Sequence, residues 1–350
     1  MDSSKMKEEN FIGTLVGCAI GDSLGMPIEG WDKNRIKKHF GKITELIEPV
    51  IVKDSNGNVV TEDEFGKLKY YTKDFKKGQY TDDTILTVAI AKSIVDRKKL
   101  DLRDTAEKQL KEYVIRKKED GTVFGGFGTT TMLGFENLLK GSSPEKSGVI
   151  GGPGNAPAMK MSPVGLYMAI TGKYDEGIIF AWQVGKITHL DPRSVASGVV
   201  QAHAVYSLIK NYSKEEFLNS LVERSYKVEE PTTKEFPLYD KGTLSERLKW
   251  VIDNKDAKSD EAHNHLKSTS VVFSSYPFAI FMFQKYWGSP IEGLIETINY
   301  GGDCDTTGAI YGALAGAKNG MVFTKAWLNH LENLDLLKTL GKKIYDLKNG

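Results

Sequence analysis

The chain has 350 residues, 40% hydrophobic and 27% charged, the composition of a globular protein with a core of its own. With 47 basic and 46 acidic side chains the formal charge is +1, which supplies no general pull toward nucleic acid or an anionic membrane. Two cysteines, Cys18 and Cys304, exclude a disulfide framework and a cysteine-rich zinc site.

Met1 to Asn10 is polar and of mixed charge, without the apolar run of a signal peptide, so a reducing cytoplasmic setting is expected. Phe11, Ile12, Leu15, Val16, Ala19, Ile20 and Leu24 recur at helical spacing, predicting a helix over 11–24 that Pro27 ends. Residues 43–78 break the pattern. Short β-branched runs flank Asn56-Gly57, which predicts an irregular insertion or a small hairpin. Helical spacing returns after Thr81 through Ile85, Leu86, Ala89, Ile90 and Ile94, and again over 103–117. Two glycine-rich loops follow, Gly125-Gly126-Phe127-Gly128 and the segment 148–157. Further helices are predicted at 175–186, 192–210, 214–226, 243–252, 269–286 and 290–298. The apolar stretch Val271 to Phe283, broken by Ser274, Ser275 and Pro277, reads as a core helix too short to span a bilayer. A last helix starts near Asp303 and carries Gly308, Gly312 and Gly316 at steps of four beside Ala309, Ala313 and Ala317. Such a face costs helix propensity and lets another helix come close. No repeat or long linker divides the chain, so the expectation is an all-α single domain over 1–350, monomeric, with the minor insertion at 43–78.

Carboxylates concentrate at two places, Thr81-Asp82-Asp83-Thr84 and Asp303-Cys304-Asp305-Thr306, each opening a helical pattern. Taken singly, each suits a helix cap, where threonine and acids are favoured. Taken together with Glu29, they would crowd five carboxylates into one cleft, where like charges raise the pKa values unless cations neutralise them. Oxygen ligands of this kind suit Mg²⁺ or Mn²⁺ rather than zinc. Two such ions about 4 Å apart can orient a substrate and a water. Cys304 lies between the acids as a spacer facing inward, since a hard metal does not want a thiolate.

Five segments occur in order: GTLVGCAIGDSLGMPIE, GQYTDDTILTVAIAKSI, GGPGNAPAMKMSPVGL, THLDP and NYGGDCDTTGAIYGALAG. From about residue 11 to 320 they resemble the signatures of the ADP-ribosylglycohydrolase family, which includes the bacterial dinitrogenase reductase-activating glycohydrolases. The resemblance implies an all-α fold with a binuclear Mg²⁺ site, where Mn²⁺ can substitute. It implies metal ligands at Thr81, Asp82, Asp83, Asp303, Asp305 and Thr306, with Glu29 as a mobile acid beside them. The activity implied is hydrolysis at ribose C1″ between ADP-ribose and a protein side chain, arginine first. Serine-linked, nucleic-acid-linked or small-molecule ADP-ribose are the alternatives, as is a non-catalytic ADP-ribose binder. Asp83, Glu29 and Asp303 are the catalytic candidates; either Asp83 or Glu29 could take a proton from water.

The glycine loops offer backbone donors for a diphosphate. Gly125, Gly126, Phe127 and Gly128 form one candidate substrate loop. Phe127 could stack on a base, or be an ordinary core aromatic. Gly154, Asn155 and Met159 match the family's substrate-loop pattern, but Ala156 and Pro157 stiffen it and Lys160 stands where arginine is usual. His189 in THLDP either lies near the adenosine or caps a helix. His263 and His265 sit in a polar stretch that reads as a solvated loop.

Overall fold

The computed structural model describes residues 6–68, 70–236 and 242–349. Helix accounts for 63% of the chain, and a two-stranded hairpin is the only sheet among the described residues. The fold is all-α, as the spacing predicts. The chain opens with α1 Glu8–Gly25 and α2 Lys33–Phe40, then β1 Glu62–Asp63 and β2 Gly66–Lys67. The first half continues with α3 Asp82–Arg97, α4 Leu102–Val114, α5 Thr129–Leu139, α6 Ala156–Lys160 and α7 Ser162–Thr171. The middle holds α8 Tyr174–Lys186, α9 Pro192–Ile209, α10 Lys214–Glu235 and α11 Leu244–Asp253. The last third holds α12 Ser259–Leu266, α13 Val272–Lys285, α14 Pro290–Ile298, α15 Cys304–Asn319, α16 Lys325–Leu328 and α17 Leu334–Tyr345.

The central contact is α1 against α15. The glycine face predicted on α15 meets a matching one on α1, where Gly13, Gly17, Gly21 and Gly25 also recur every four residues. A Cβ on Gly21 would lie 1.9 Å from the Gly308 carbonyl oxygen. One on Gly312 would lie 2.0 Å from that of Gly17, and one on Gly316 1.9 Å from that of Gly13. No side chain fits between the two backbones, so glycine is required on both helices. Each glycine costs about 1 kcal/mol of helix propensity relative to alanine; backbone contact along four turns offsets it. α1 is apolar enough to cross a membrane by composition, but 94% of that window is buried inside the fold, the signature of a core helix.

Two sequence expectations are corrected, and a third is made specific. α10 does not stop near 226 but runs through Pro231 to Glu235. Its extension has a purpose: the Glu229 carboxylate accepts from the backbone N–H of Leu244 (2.6 Å) and Ser245 (2.9 Å), satisfying the first turn of α11. The polar stretch around His263 and His265 is α12 rather than a solvated loop. His263 bonds Ser268 Oγ at 3.0 Å, and His265 stacks on Trp250 at 4.3 Å. Finally, the hairpin in the insertion pairs Glu62 with Lys67 and Asp63 with Gly66, while Asn56-Gly57 turns a separate bridge between Lys53 and Val59. The insertion is tied to α2 by Arg35, whose guanidinium donates to both Asp63 oxygens at 2.9 and 2.7 Å.

Candidate active site

The α1–α15 pair ends at a cleft of about 300 Å³. A short 3-10 turn, Met26–Ile28, carries the chain from α1 to Glu29. At the same level α15 begins, so close that a Cβ on Gly25 would lie 2.3 Å from the Asp305 nitrogen. α3 enters from the side with Thr81 as its N-cap and Asp82 and Asp83 in its first turn. Both acidic motifs therefore sit at helix entries, and both open on one space. Glu29, Asp82, Asp83, Asp303, Asp305 and Thr306 all line the cleft. Carboxylate oxygens of Glu29, Asp303 and Asp305 come within 4.8 Å of one another.

α3 is aimed by a residue the motif reading passed over. Asp22, fully buried near the end of α1, accepts from Thr81 N (3.0 Å), Thr81 Oγ1 (3.0 Å), Thr84 N (3.1 Å) and Thr84 Oγ1 (2.7 Å). Its carboxylate thus closes the N-terminus of α3 from another helix, where the macrodipole favours negative charge. Burial lifts Asp22 to about 6, and the threonine donors pull the other way. A lone acid inside an otherwise apolar helix was the available sequence signal.

The other carboxyls of the cleft are raised as well. Burial, then the neighbouring acids, raises Glu29 to about 8. Burial, Asp22 and Asp303 raise Asp82 to about 8, with the Lys160 ammonium opposing. Asp83 and Asp305 stand well above the carboxylate range for the same reasons, and Asp303 is raised by burial. Asp83 Oδ2 accepts from Thr306 Oγ1 at 3.4 Å and lies 3.1 Å from Thr81 Oγ1, whose one proton is shared between it and Asp22. Asp83 Oδ1 and Asp305 Oδ1 are buried with no hydrogen-bond partner among the described residues. A buried acceptor left bare costs about 1–3 kcal/mol. This donor set, all hard oxygen and short of positive charge, fits divalent cations.

The glycine loops divide. Gly126 and Gly128 line the cleft, as do Thr129, Thr130 and Thr131 from the start of α5. Gly125 and Phe127 do not. Gly125 turns its carbonyl to the Asp82 N–H at 2.6 Å, with φ at +121°, so its role is to hold α3. Phe127 is buried edge-on against Tyr113 at 5.9 Å and Phe135 at 6.4 Å, so it is a core aromatic rather than a stacking platform. From the second loop, Gly152, Pro153, Gly154, Asn155, Ala156 and Met159 line the cleft. Asn155 spends its amide within the protein, donating to Asp303 Oδ2 at 2.5 Å and Ser275 Oγ at 3.0 Å. Lys160 is wholly buried, its Nζ without a hydrogen-bond partner among the described residues, and it is not in the cleft wall. Burial pushes it down to about 8.

His189 faces the cleft, with Nδ1 2.9 Å from Thr188 Oγ1 and Nε2 so near Gly154 that a Cβ there would lie 2.7 Å away. Burial and the Lys160 charge push it down to about 3, so it is a neutral imidazole. It is not the helix cap: Asp191 caps α9, accepting from Arg193 N at 2.9 Å. Cys304 is buried, with Sγ 3.3 Å from the Gly25 carbonyl, and burial holds its thiol protonated. Ser270 and Val271 complete the wall and carried no sequence signal.

The ADP-ribosylglycohydrolase family model matches residues 3–350. The chain belongs to the ADP-ribosylglycohydrolase family. Among its relatives, the ADP-ribosyl-[dinitrogen reductase] glycohydrolase of Rhodospirillum rubrum is 26% identical over 92% of this chain and 90% of its own length. The mouse ADP-ribosylhydrolase ARH3 is 25% identical over 96% and 90% respectively. A solved structure titled ADP-ribosylglycohydrolase-related protein complex shares the fold, with a TM-score of 0.68 at 21% identity over 97% of this chain and 98% of that one. The family hydrolyses ADP-ribose linkages.

Proposed function

We propose that this chain hydrolyses the bond from ribose C1″ of ADP-ribose to a protein side chain, arginine in the first place, with two Mg²⁺ ions bound in the cleft. The observation that carries this is the pair of helix entries that leave Asp83 Oδ1 and Asp305 Oδ1 buried and unpartnered beside three further acids. Thr81, Asp82, Asp83, Asp303, Asp305 and Thr306 would hold the ions, which when bound supply charge for the acids, a grip on the ribose hydroxyls and an activated water.

The protein's own contributions follow from its geometry. Gly128, the N-cap of α5, brings no side chain to close it, so the first N–H groups of the helix and those of the flanking glycines can take the diphosphate. The neutral His189 offers a flat polar wall. Glu29 stands half-buried at the cleft, and a carboxyl raised to about 8 can hold and release a proton near neutral pH. Asp83 is locked by two threonine hydroxyls and is suited to orienting rather than moving. Arginine as the acceptor is supported by the Glu29 position after GDSLGMPI, which resembles the bacterial arginine-type members.

The test is release of ADP-ribose from arginine- and serine-linked substrates, with Mg²⁺ and with EDTA. Mg²⁺-dependent release from the arginine-linked substrate is expected, lost in Asp303→Ala and Asp305→Ala while the helical signal remains. Release that EDTA leaves intact, or none from either linkage, would discard the proposal.

A further inference from the structure

Asp303 is carried by a turn of two glycines. Gly301 and Gly302 both have positive φ, +72° and +71°, and glycine restrains its own backbone less than any other residue. α15 has no side-chain cap at Asp303 either. The position of this acid is therefore set from outside the turn. On one side the Glu29 turn does so, since Gly30 N donates to Gly302 O at 2.8 Å and Gly302 N to Trp31 O at 2.7 Å. On the other side stands Ser268, buried just beyond the end of α12. Its carbonyl accepts from Asp303 N at 2.6 Å, and its hydroxyl donates to Gly301 O at 2.8 Å. A Cβ on Gly302 would lie 2.2 Å from the Ser268 carbonyl oxygen, so the two segments touch. Lys267, the residue before it, takes φ +66°, a conformation that residues other than glycine seldom adopt. Strain of this kind persists only where the surroundings impose it.

Ser268 is itself held. Its hydroxyl proton goes to the Gly301 carbonyl, so the oxygen can only accept from His263 Nε2, 3.0 Å away. His263 must then carry a proton on Nε2. Burial, then the charges of Lys267 and Lys33, push the imidazole down to about 4, so at neutral pH this is the proton it keeps. The ring is fixed edge-on against Phe278 at 5.1 Å and tilted against Tyr300 at 4.8 Å. Tyr300 is tied back to α12 in turn, its hydroxyl donating to Asp260 Oδ1 at 2.8 Å. Neither His263 nor Ser268 lines the cleft. We infer that His263 and Ser268 are positioning residues for Asp303, a brace from α12 that holds its carboxylate in place for a divalent cation. This rests on the metal reading above. Groups that stand behind a metal ligand and orient it commonly decide how tightly the ion binds.

The experiment titrates Mn²⁺, with the free ion read by electron paramagnetic resonance, into wild type, Ser268→Ala, His263→Phe, His263→Gln and the double variant Ser268→Ala/His263→Phe. Phenylalanine keeps a ring and loses the donor, whereas glutamine keeps a donor at the Nε2 end. Ser268→Ala is expected to raise the Kd for Mn²⁺ about tenfold, the lower end of effects from groups behind a metal ligand. His263→Phe raises it by about three- to tenfold, and His263→Gln stays within about twofold of wild type. Because His263 acts through Ser268, the double variant binds no more weakly than Ser268→Ala alone. Circular dichroism shows which variants are folded; should Ser268→Ala not fold, the two His263 variants carry the same test. Wild-type affinity in both Ser268→Ala and His263→Phe, equal losses in His263→Phe and His263→Gln, or losses that add in the double variant overturn the brace and leave the metal reading standing. A wild type that binds no Mn²⁺ overturns the metal reading, and the brace with it.

Discussion

Two regions meet at the cleft and are built in opposite ways. Below it, α1 and α15 touch backbone to backbone with no space for a methyl group. Beside it, the described residues of 43–80 are held by separate anchors, directed contacts such as Arg35 on Asp63 and Thr72 on Met26 and buried side chains such as Ile43, Leu46 and Tyr80, rather than by one continuous seam. Close packing tolerates almost no change in volume, whereas a tethered segment tolerates many changes that leave its tethers in place. The floor fixes the acids that every member of a metal-dependent family would need.

Substitutions can break this contrast. Gly312→Ala puts a methyl 2.0 Å from the Gly17 carbonyl and should cost about 3 kcal/mol, the upper end of overpacking effects. Urea unfolding measures it; a loss below about 0.5 kcal/mol would mean that the helices part easily. The acids give the next largest effect, through pH. Glu29 and Asp82 stand at about 8 against ordinary values of 4.5 and 3.8, so the folded protein holds more protons than the unfolded chain across that window. Their contribution to stability is full below about 4 and is lost as the pH rises to about 8. Mg²⁺ bound as proposed would have to displace those protons, so its stabilisation should grow from pH 5 to 9. Melting curves with Mg²⁺ and with EDTA test this, and an increment that shrinks with rising pH would contradict it. The rim gives the smallest effect. Arg35→Ala should lower Tm less than Gly312→Ala while exposing 43–80 to limited proteolysis, and uniform cutting across the chain would show that the segment is not separately tethered.

Much of this was legible in the residues. The acidic motifs and the glycine face on α15 both announced themselves, because each depends on residue type at fixed spacing. The partner of that face did not, since the glycines of α1 lie inside an apolar helical pattern that already had an explanation. Asp22 was hidden for the same reason. Phe127 was left open because glycines around an aromatic look alike whether the ring faces ligand or core; Tyr113 and Phe135, distant in sequence, decide it. α12 was missed because polar residues obscure a short helix whose buried face is only Ala262 and Leu266.

The glycine ladder has a consequence for metrology. Its rungs recur every four residues, so α1 and α15 can slip past each other only by whole rungs, each about 6 Å along the axis. A slip of that size would carry Glu29 out of reach of Asp303 and Asp305, whose oxygens now lie within 4.8 Å of its own. The spacing of the acids is therefore graduated by the ladder beneath them, and an error in register would be all or nothing.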